Sequence, residues 1–354
     1  MVIAPPSLAE AVEQAGYLFV AGHEPPEEQV APIRERLPVV SRATASVLAN
    51  RVLFGQLATS SMLPAMDRLL RDFEPDLVLR DPCEYASAVC ARRRPVRTAQ
   101  VGIGLAEVEW GSIDVAGPAL EDHRPGLVGE LRASTYLTRF PASLDPSPFA
   151  DTLRYAEHAP VPGAALLDWW GTSALPLVYV SFGTVLGHMS LATEAYRTVL
   201  AAVAGIEARV LLTVGRHFDR TLLGHLPDNV HVEPWVDQAD VLSEAELVVC
   251  HGGSGTTFGS LAAGVPVVIV PLFADQLANA LRLTEAGAGL ALDPGIEGDD
   301  RRRPLSRGDA SRITEAIETV RSDPSYRAAA GRLASEMAAA PSPEEILDQL
   351  MTDR

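Results

Sequence analysis

Short, uninterrupted apolar runs recur through the second half of the chain, each separated from the next by a longer amphipathic stretch. Such runs are typical of strands that are buried on both faces of a parallel sheet. The runs lie at Leu177–Ser181, Val210–Val214, Val230–Val232, Leu247–Cys250, Val267–Val270 and Gly289–Leu292. Because strands alternate with helical stretches here, the pattern predicts a doubly wound α/β domain.

The first half carries a similar pattern with fewer clear runs. The predicted elements are a strand at Val2–Ala4, a helix over Ser7–Ala15, a strand at Leu18–Ala21 and a later strand at Asp76–Arg80. A proline-rich stretch that starts at Ala159 predicts a linker. The predicted organisation is a first domain over residues 1–158, a linker over 159–174, a second domain over 175–340 and a terminal helix within 341–354.

The stretch from Cys250 to Gln276 combines several features of a ligand site. An apolar run stops at His251–Gly255, where glycines let the backbone turn sharply and approach a ligand closely. A helix is predicted over Thr256–Ala263, and its first N–H groups have no intrahelical partner. A diphosphate is therefore the expected ligand. The hydroxyl groups expected within its reach are those of Ser254, Thr256 and Thr257.

Two polar residues follow the next predicted strand. Asp275 and Gln276 lie beyond Val267–Val270, at the carboxyl edge where open α/β sheets bind ligands. An acceptor carboxylate beside an amide suits sugar hydroxyls. The alternatives are that the glycine turn serves the fold alone, that His251 is a buried core histidine and that Trp235 is a packing residue.

Composition narrows the class of protein. The chain has 354 residues, 47% of them hydrophobic, which is enough for about two cores. A net charge of −17 argues against a nucleic-acid partner, because such partners require basic surfaces. Cys83, Cys90 and Cys250 lack the paired spacing of a metal site. With no apolar run long enough to cross a membrane, a cytoplasmic location without stable membrane association is expected.

Three segments together resemble the donor-binding domain of the family 1 nucleotide-sugar glycosyltransferases, in particular the bacterial branch that glycosylates macrolides, enediynes and other polyketide aglycones. They are Leu177–Thr184 (LVYVSFGT), Glu233–Gln238 (EPWVDQ) and Cys250–Gln276. The resemblance implies a GT-B fold, in which two doubly wound, Rossmann-like parallel-sheet domains face each other across a cleft. It also implies an actinobacterial enzyme of antibiotic biosynthesis.

The resemblance also implies a role for individual residues. Trp235 is expected to stack on the nucleobase, whose edge meets the Val236 backbone. Asp275 and Gln276 are expected to contact the transferred sugar. The residues expected at or near the diphosphate are Ser181, Thr184, His251, Gly252, Gly253, Ser254, Gly255 and Thr256. One departure is visible, since the family usually has proline at the position of Asp237.

The first domain departs further from the family. Its members open with a strand and a loop whose histidine deprotonates the acceptor hydroxyl, whereas Val2–Ala4 resembles their second strand. The resemblance therefore implies an N-terminally truncated first domain, and the base histidine is not found. Gly22–Pro26 contains a histidine, but it follows the wrong strand and is interpreted as a surface loop.

The remaining catalytic and acceptor residues are assigned by the same resemblance. Asp81 resembles the acid that orients the missing histidine, while the alternative is that Asp81 caps the helix that follows it. Trp110 and Ile113 fall where the family builds its acceptor pocket.

The resulting hypothesis is an inverting glycosyltransferase that moves a hexose or deoxyhexose from a dTDP- or UDP-sugar to a hydroxyl of a small apolar natural product, without a metal or other cofactor. The alternatives are an impaired homologue that binds nucleotide sugar or a partner glycosyltransferase as an auxiliary protein, and a GT-B nucleotide-sugar epimerase. A homodimer is a further expectation.

Overall fold

The computed structural model describes residues 1–91, 96–159, 161–184, 186–189, 191–292, 295–297 and 301–352. These residues form two α/β domains, each built around parallel strands. Within the described ranges, no helix combines the length and the apolarity that crossing a bilayer requires.

The first domain contains six short strands. Its elements are β1 (Val2–Ala4), a 3₁₀ turn (Pro6–Leu8), α1 (Ala9–Gln14), β2 (Phe19–Ala21), α2 (Glu27–Arg36), α3 (Arg42–Ser46), a π-helix (Val47–Ala58), α4 (Thr59–Phe73), β3 (Leu77–Arg80), α5 (Ala86–Ala91), β4 (Arg97–Val101), α6 (Ala106–His123), α7 (Leu127–Ala133), β5 (Thr135–Thr138) and β6 (Thr152–Arg154). The residues at positions 22–26 connect β2 to α2 without regular structure, as the sequence indicates.

The strands of the first domain form two separate sheets. β1 pairs with β2, and β3 to β6 pair in chain order, all in parallel. α4 lies between the two sheets: Ile3 of β1 and Val78 of β3 both pack against the apolar cluster that contains Met66 and Leu70 of α4. In the described part of the chain β1 and β3 are not paired with each other, so each presents one edge without a strand neighbour.

The second domain contains the larger sheet. Its elements are β7 (Leu177–Ser181), a 3₁₀ turn (Leu186–His188), α8 (Ala192–Val203), β8 (Arg209–Thr213), a 3₁₀ turn (Arg220–Leu223), β9 (Val230–Glu233), α9 (Gln238–Leu242), β10 (Ala245–Cys250), α10 (Ser254–Ala262), β11 (Val267–Ile269), α11 (Gln276–Glu285), β12 (Gly289–Ala291), β13 (Ile296–Glu297), β14 (Arg301–Arg302), a 3₁₀ turn (Arg307–Asp309), α12 (Ala310–Ser322), α13 (Pro324–Ala338) and α14 (Pro343–Thr352).

The order of the six main strands is β12-β11-β10-β7-β8-β9, and all neighbours are parallel. The six apolar runs of the sequence correspond to these strands. Their alternate residues are buried in cores on opposite faces of the sheet, with Val178 in one and Leu177 in the other. α8 and α12 cover one face, while α10 and α13 cover the other.

This strand order creates a crevice beside β7. After β7 the chain passes through α8 to β8 on one side of β7, and later through α9 to β10 on the other side. The loops that follow the neighbouring strands β7 and β10 therefore turn in opposite directions. Open α/β sheets bind ligands at such a switch point, outside the carboxyl ends of the strands. The loops that begin after Ser181 and Cys250 therefore meet where a ligand is expected.

The two domains are in direct contact. Leu105 and Phe140 of the first domain belong to the core cluster that contains Phe258 of α10, and the Phe140 and Phe258 ring centroids lie 3.9 Å apart. α14 packs against the first domain, where its Ile346 and Leu350 join a cluster that includes strands β4 and β5. These contacts bring the carboxyl ends of β4 and β10 toward each other.

Candidate functional site

An uncapped helix N-terminus lies at the switch point. β10 ends at Cys250, Gly252 turns the chain with a φ of +91°, and α10 begins at Ser254. The N-cap residue is Gly253, so the N-cap position offers no side chain that could accept a hydrogen bond from the first N–H groups of the helix. These donors and the positive end of the helix dipole are available to an anion.

His251 lies between two glycines at the same place. A Cβ built on Gly183, whose φ is +71°, would lie 3.0 Å from both Cε1 and Nε2 of His251, and one built on Gly253 would overlap Nε2. The ring is nine-tenths buried, and among the described residues its Nδ1 has no hydrogen-bond partner. Burial lowers the pKa of His251 to about 4, although the Ser181 backbone acts in the opposite direction. His251 is therefore a neutral imidazole at pH 7, and its Nε2 is the ring nitrogen that lies beside Gly253.

The other predicted phosphate residues have different surroundings. Ser181 is buried at the end of β7, whereas Thr184 is exposed in the loop that follows. Ser254 and Thr256 lie in the partly exposed first turn of α10. Thr257 is fully buried, with its hydroxyl 3.6 Å from Cys250 Sγ, so the prediction that this hydroxyl reaches the ligand is wrong.

Asp275 is held toward the glycine loop by a buried asparagine. Asn279 is fully buried, and its Nδ2 donates to Gly252 O at 2.8 Å and to Asp275 Oδ2 at 3.1 Å. Ser254 Oγ also donates to Asp275 Oδ2, at 3.4 Å. Sequence reasoning missed Asn279, although its position four residues after Asp275 places both on one helix face. Hydrogen bonds thereby join the glycine loop and Asp275 into one unit.

Gln276 is used differently from the sequence-based expectation. Its side chain is buried, and its Oε1 accepts hydrogen bonds from Leu272 N at 2.7 Å and Phe273 N at 2.8 Å. The carbonyl that was expected to meet sugar hydroxyls therefore holds the preceding loop, and only the NH₂ group remains for a ligand. Ala274, between this loop and Asp275, has a φ of +52°, a conformation that costs a non-glycine residue about 1 kcal/mol.

Trp235 presents a half-exposed aromatic surface after β9. Half of its surface is accessible, and the Arg216 guanidinium lies 4.9 Å from its ring centroid. The accessible half of the ring is compatible with stacking on a base, and the contact with Arg216 is compatible with the alternative that Trp235 is a packing residue. The next residue, Val236, is partly buried, and Asp237 Oδ1 accepts from Ala239 N at 2.9 Å. Asp237 is thus the N-cap of α9, which explains an acid at this position.

In the first domain, Asp81 is exposed at the end of β3. Its Oδ1 accepts from Cys83 N at 2.8 Å, which forms a local turn. The alternative that Asp81 caps the following helix is wrong, because α5 begins only at Ala86 and Glu84 accepts from Ser87 N at 3.0 Å. Among the described residues, no histidine is hydrogen-bonded to Asp81.

The two predicted acceptor residues lie on the inner face of α6. Ile113 is 1% exposed within the first-domain core, so it has no surface to offer an acceptor. Trp110 packs edge-on against Phe149 at 5.0 Å, and the Arg132 guanidinium lies 4.6 Å from its ring centroid. Trp110 is only partly buried, so its place in an acceptor pocket stays a prediction.

Comparison with known proteins identifies the family. The family described as "Erythromycin biosynthesis protein CIII-like, C-terminal domain" matches residues 197–352. L-demethylnoviosyl transferase of Streptomyces niveus is 32% identical over 299 residues, which cover 82% of this chain and 75% of the relative. The chain belongs to the EryCIII-like family 1 glycosyltransferases. The 3-alpha-mycarosylerythronolide B desosaminyl transferase of Saccharopolyspora erythraea is 26% identical, covering 83% of this glycosyltransferase and 72% of the relative.

Solved structures of similar proteins share the GT-B fold with this glycosyltransferase. The glycosyltransferase SnogD from Streptomyces nogalater matches with a TM-score of 0.73 and 26% identity, covering 96% of this chain and 88% of that one. The spinosyn rhamnosyltransferase SpnG, solved with thymidine diphosphate, matches with a TM-score of 0.74 and 25% identity, covering 98% and 90%. Both matches span the two domains.

The geometry of the glycosyltransferase defines the chemistry that its cleft can perform. Unpaired N–H groups, a neutral imidazole and hydroxyls are all hydrogen-bond donors, which suit an anionic phosphate group. Asp275 supplies a fixed acceptor beside them, and Trp235 supplies an apolar ring at the end of β9. The cleft therefore carries donor groups for phosphate, one acceptor for hydroxyls and one flat surface for a base.

Proposed function

We propose that this glycosyltransferase is an inverting enzyme that moves a hexose or deoxyhexose from a dTDP- or UDP-linked donor to a hydroxyl of a small apolar natural product. The observation that carries the proposal is the N-terminus of α10, whose N-cap Gly253 offers no capping side chain and lies directly beside Nε2 of the neutral His251 ring. The first N–H groups of a helix have no intrahelical partner, and together with the helix dipole they favour an anion. A diphosphate supplies acceptor oxygens for these donors.

The proposal assigns a role to each part of the site. The α10 N-terminus and His251 bind the diphosphate, Trp235 stacks on the base, and Asp275 accepts hydrogen bonds from the sugar. The names of the relatives support sugar transfer, since they denote demethylnoviosyl and desosaminyl transfer. The thymidine diphosphate in the SpnG structure supports a nucleoside diphosphate of the dTDP type.

The proposed reaction is a single displacement. The acceptor oxygen forms a bond to the anomeric carbon while the bond from that carbon to the diphosphate oxygen breaks on the opposite face. The hydroxyl proton passes to a base, and the diphosphate leaves with the bonding electron pair. The N–H groups of α10 and His251 stabilise the negative charge that develops on the leaving group, so the proposal requires no divalent cation.

Two measurements test this reaction. With dTDP- or UDP-glucose and a flavonoid or macrolide aglycone in EDTA, the proposal predicts release of nucleoside diphosphate and a glycoside. The anomeric proton–proton coupling should report β-linkage from an α-linked donor. Retention of the α configuration would contradict inversion, and activity that is lost in EDTA and restored by Mg²⁺ would contradict metal independence.

A second candidate function is binding without transfer, as an auxiliary protein. The observation that favours it concerns Asp81, whose carboxylate accepts a hydrogen bond from Cys83 N. Among the described residues, no histidine is hydrogen-bonded to Asp81. Nucleotide-sugar binding without transfer or donor hydrolysis, across several aglycones, would support this candidate. Turnover that exceeds the uncatalysed rate would rule it out.

A further inference from the structure

A chain of buried polar side chains runs through the first domain. Arg80, Gln100 and Glu109 are exposed by 3%, 0% and 6%, respectively. Arg80 Nη2 donates to Gln100 Oε1, and Gln100 Nε2 donates to Glu109 Oε2 at 3.0 Å. The proposed reaction uses none of these groups. Charged side chains are rarely buried to this extent unless their partners compensate the loss of hydration.

This series of buried polar side chains ends at Glu109, which binds the backbone of the loop between β4 and α6. Glu109 Oε1 accepts hydrogen bonds from Ile103 N and from Gly104 N, both at 2.8 Å. The Tyr136 hydroxyl donates to Gly104 O at 3.4 Å, and the Asp145 carboxylate accepts from Ala106 N at 3.1 Å. The loop is therefore fixed by side chains at three successive points.

This loop lies against the donor site of the other domain. A Cβ built on Gly104 would lie 3.6 Å from Asp275 Oδ2 and 3.6 Å from Ser254 Oγ. Leu105 is 1% exposed and packs in the core cluster of the second domain. Glu107, in the first turn of α6, forms an ion pair of 2.6 Å with Arg282 of α11. The loop thus closes the side of the cleft on which Asp275 and Ser254 lie.

We propose that Glu109 is a positioning residue for the donor sugar: it holds the Ile103–Gly104 backbone beside Asp275 and Ser254, and this loop forms one wall of the sugar pocket. In the same arrangement Gly104 is a specificity-determining position, since its missing side chain leaves room next to Asp275. The inference rests on the proposed function, because it assumes that Asp275 faces the transferred sugar.

The test compares ligands with and without the sugar. Titration calorimetry with dTDP, UDP, dTDP-glucose and UDP-glucose measures the affinity of the full chain and of three variants. Glu109→Ala removes the acceptor of both loop N–H groups, Glu109→Gln keeps an acceptor oxygen, and Gly104→Ala adds one methyl group without a steric overlap. All three variants should bind dTDP or UDP within about twofold of the wild type, since the diphosphate groups are unchanged.

The sugar-linked ligands should separate the variants. Glu109→Ala should weaken binding of the nucleotide sugar by about tenfold or more, which corresponds to the loss of one well-placed hydrogen-bonding arrangement. Gly104→Ala should weaken it by a similar factor, because the added methyl group fills the space beside Asp275. Glu109→Gln should recover most of this affinity, because its carbonyl can still accept from the loop. Wild-type affinity of Glu109→Ala and Gly104→Ala for the nucleotide sugars would overturn the inference and leave the proposed function intact.

A stability control separates positioning from general loosening of the fold. Asp309 is 3% exposed and accepts hydrogen bonds from Arg303 and Ser306 in the second domain, outside the cleft described above. Asp309→Ala should lower the melting temperature without a sugar-specific loss of affinity. A sugar-specific loss in Asp309→Ala as well would overturn the positioning role. Failure of the wild type to bind any of the four ligands would instead overturn the proposed function, and with it the inference.

Discussion

The imidazole of His251 lies between Gly183 and Gly253, which come from loops after different strands. The requirement for glycine at 253 is steric rather than conformational, because its φ is −66°. At Gly183 glycine is required both by the positive φ of the backbone and by the space that the His251 ring occupies. The sequence indicates a glycine-rich phosphate loop, but it does not indicate that Gly253 of this loop and Gly183 of a different loop lie on two sides of one histidine ring.

Gly253→Ala tests this seating. The added methyl group overlaps His251 Nε2, so the ring must move from the position that the proposed diphosphate contact requires. Because a hydrogen bond to a charged group contributes about 1.5–3 kcal/mol, affinity for dTDP or UDP should fall about tenfold or more. Gly331→Ala is the matched control, since nothing lies within 4 Å of the Cβ that it adds in α13. Equal affinity of the two variants would contradict the seating role.

Glu109 makes a prediction about stability and pH. Burial raises its pKa to about 7, against the hydrogen bonds from Gly104, Ile103 and Gln100, which lower it. The folded state therefore holds a proton between pH 4.5 and 7 that the unfolded state has released, so stability falls as the pH rises through this window. A shift from 4.5 to about 7 corresponds to about 3 kcal/mol.

Urea unfolding of the wild type and of Glu109→Gln between pH 4.5 and 8 measures this contribution. The wild type should lose stability relative to Glu109→Gln as the pH rises to about 7, because the amide does not titrate. His251 acts in the opposite direction between its lowered pKa of about 4 and its ordinary value, but it is present in both proteins and cancels in the difference. A difference that does not vary with pH would show that Glu109 ionises normally.

At the scale of elements, the second domain could be predicted closely because its strands are buried on both faces. β7 is found at Leu177–Ser181, as the apolar run indicates, and β10 differs from its run only by starting at Ala245. The first domain is harder to interpret, because its strands are short and half-exposed. Leu79 of β3, for example, is 45% exposed and gives no core signal.

Only those residues of the site that belong to short contiguous motifs could be predicted from the sequence. The glycine loop, Trp235 and Asp275 follow from short patterns, whereas the contact of Gly104 with Ser254 joins residues that are 150 positions apart in different domains. The hydrogen-bond partners of a side chain cannot be predicted from the sequence either. Gln276 lies where the motif expects it, yet its carbonyl holds the Leu272–Phe273 backbone.

The six-stranded sheet of the second domain and the small sheets of the first domain are expected to differ in local stability. β7 is central in a six-stranded sheet and fully buried, whereas β1 pairs with β2 alone and β3 pairs with β4 alone in the described part of the chain. Amide hydrogens of β7 and β10 should therefore exchange most slowly, and those of β1 and β2 should exchange fastest among the strands. Hydrogen exchange followed by mass spectrometry resolves these segments. Equal protection of β1 and β7 would contradict the description of β1–β2 as a separate sheet.

At the scale of the whole molecule, an aromatic contact couples the domains across the cleft. Phe140 is fully buried against Phe258 of helix α10, and Glu107 forms an ion pair with Arg282 of α11. A nucleotide that binds to α10 would therefore stabilise the part of the second domain that contacts the first. At a concentration 100 times its dissociation constant, a ligand stabilises the folded state by about 2.7 kcal/mol.

Phe140→Ala tests this coupling. Removal of a buried phenylalanine side chain costs about 3–5 kcal/mol, and here the cavity opens at the domain interface. The wild type should unfold in one calorimetric transition that dTDP or UDP shifts to higher temperature. The variant should show two transitions, of which the nucleotide shifts only the one that belongs to the second domain. A single transition in Phe140→Ala, shifted as in the wild type, would contradict the coupling.

A nucleoside diphosphate is expected to bind at the switch point between β7 and β10, and calorimetric titration of dTDP and UDP into the full chain measures this binding. We expect a saturable heat of binding, with the affinity weakened about tenfold or more in His251→Ala. We expect no change in His123→Ala, whose ring bonds to Gly55 O at 3.0 Å within the first domain. No binding by the wild type, or equal affinity of the His251→Ala and His123→Ala variants, would contradict binding at this switch point.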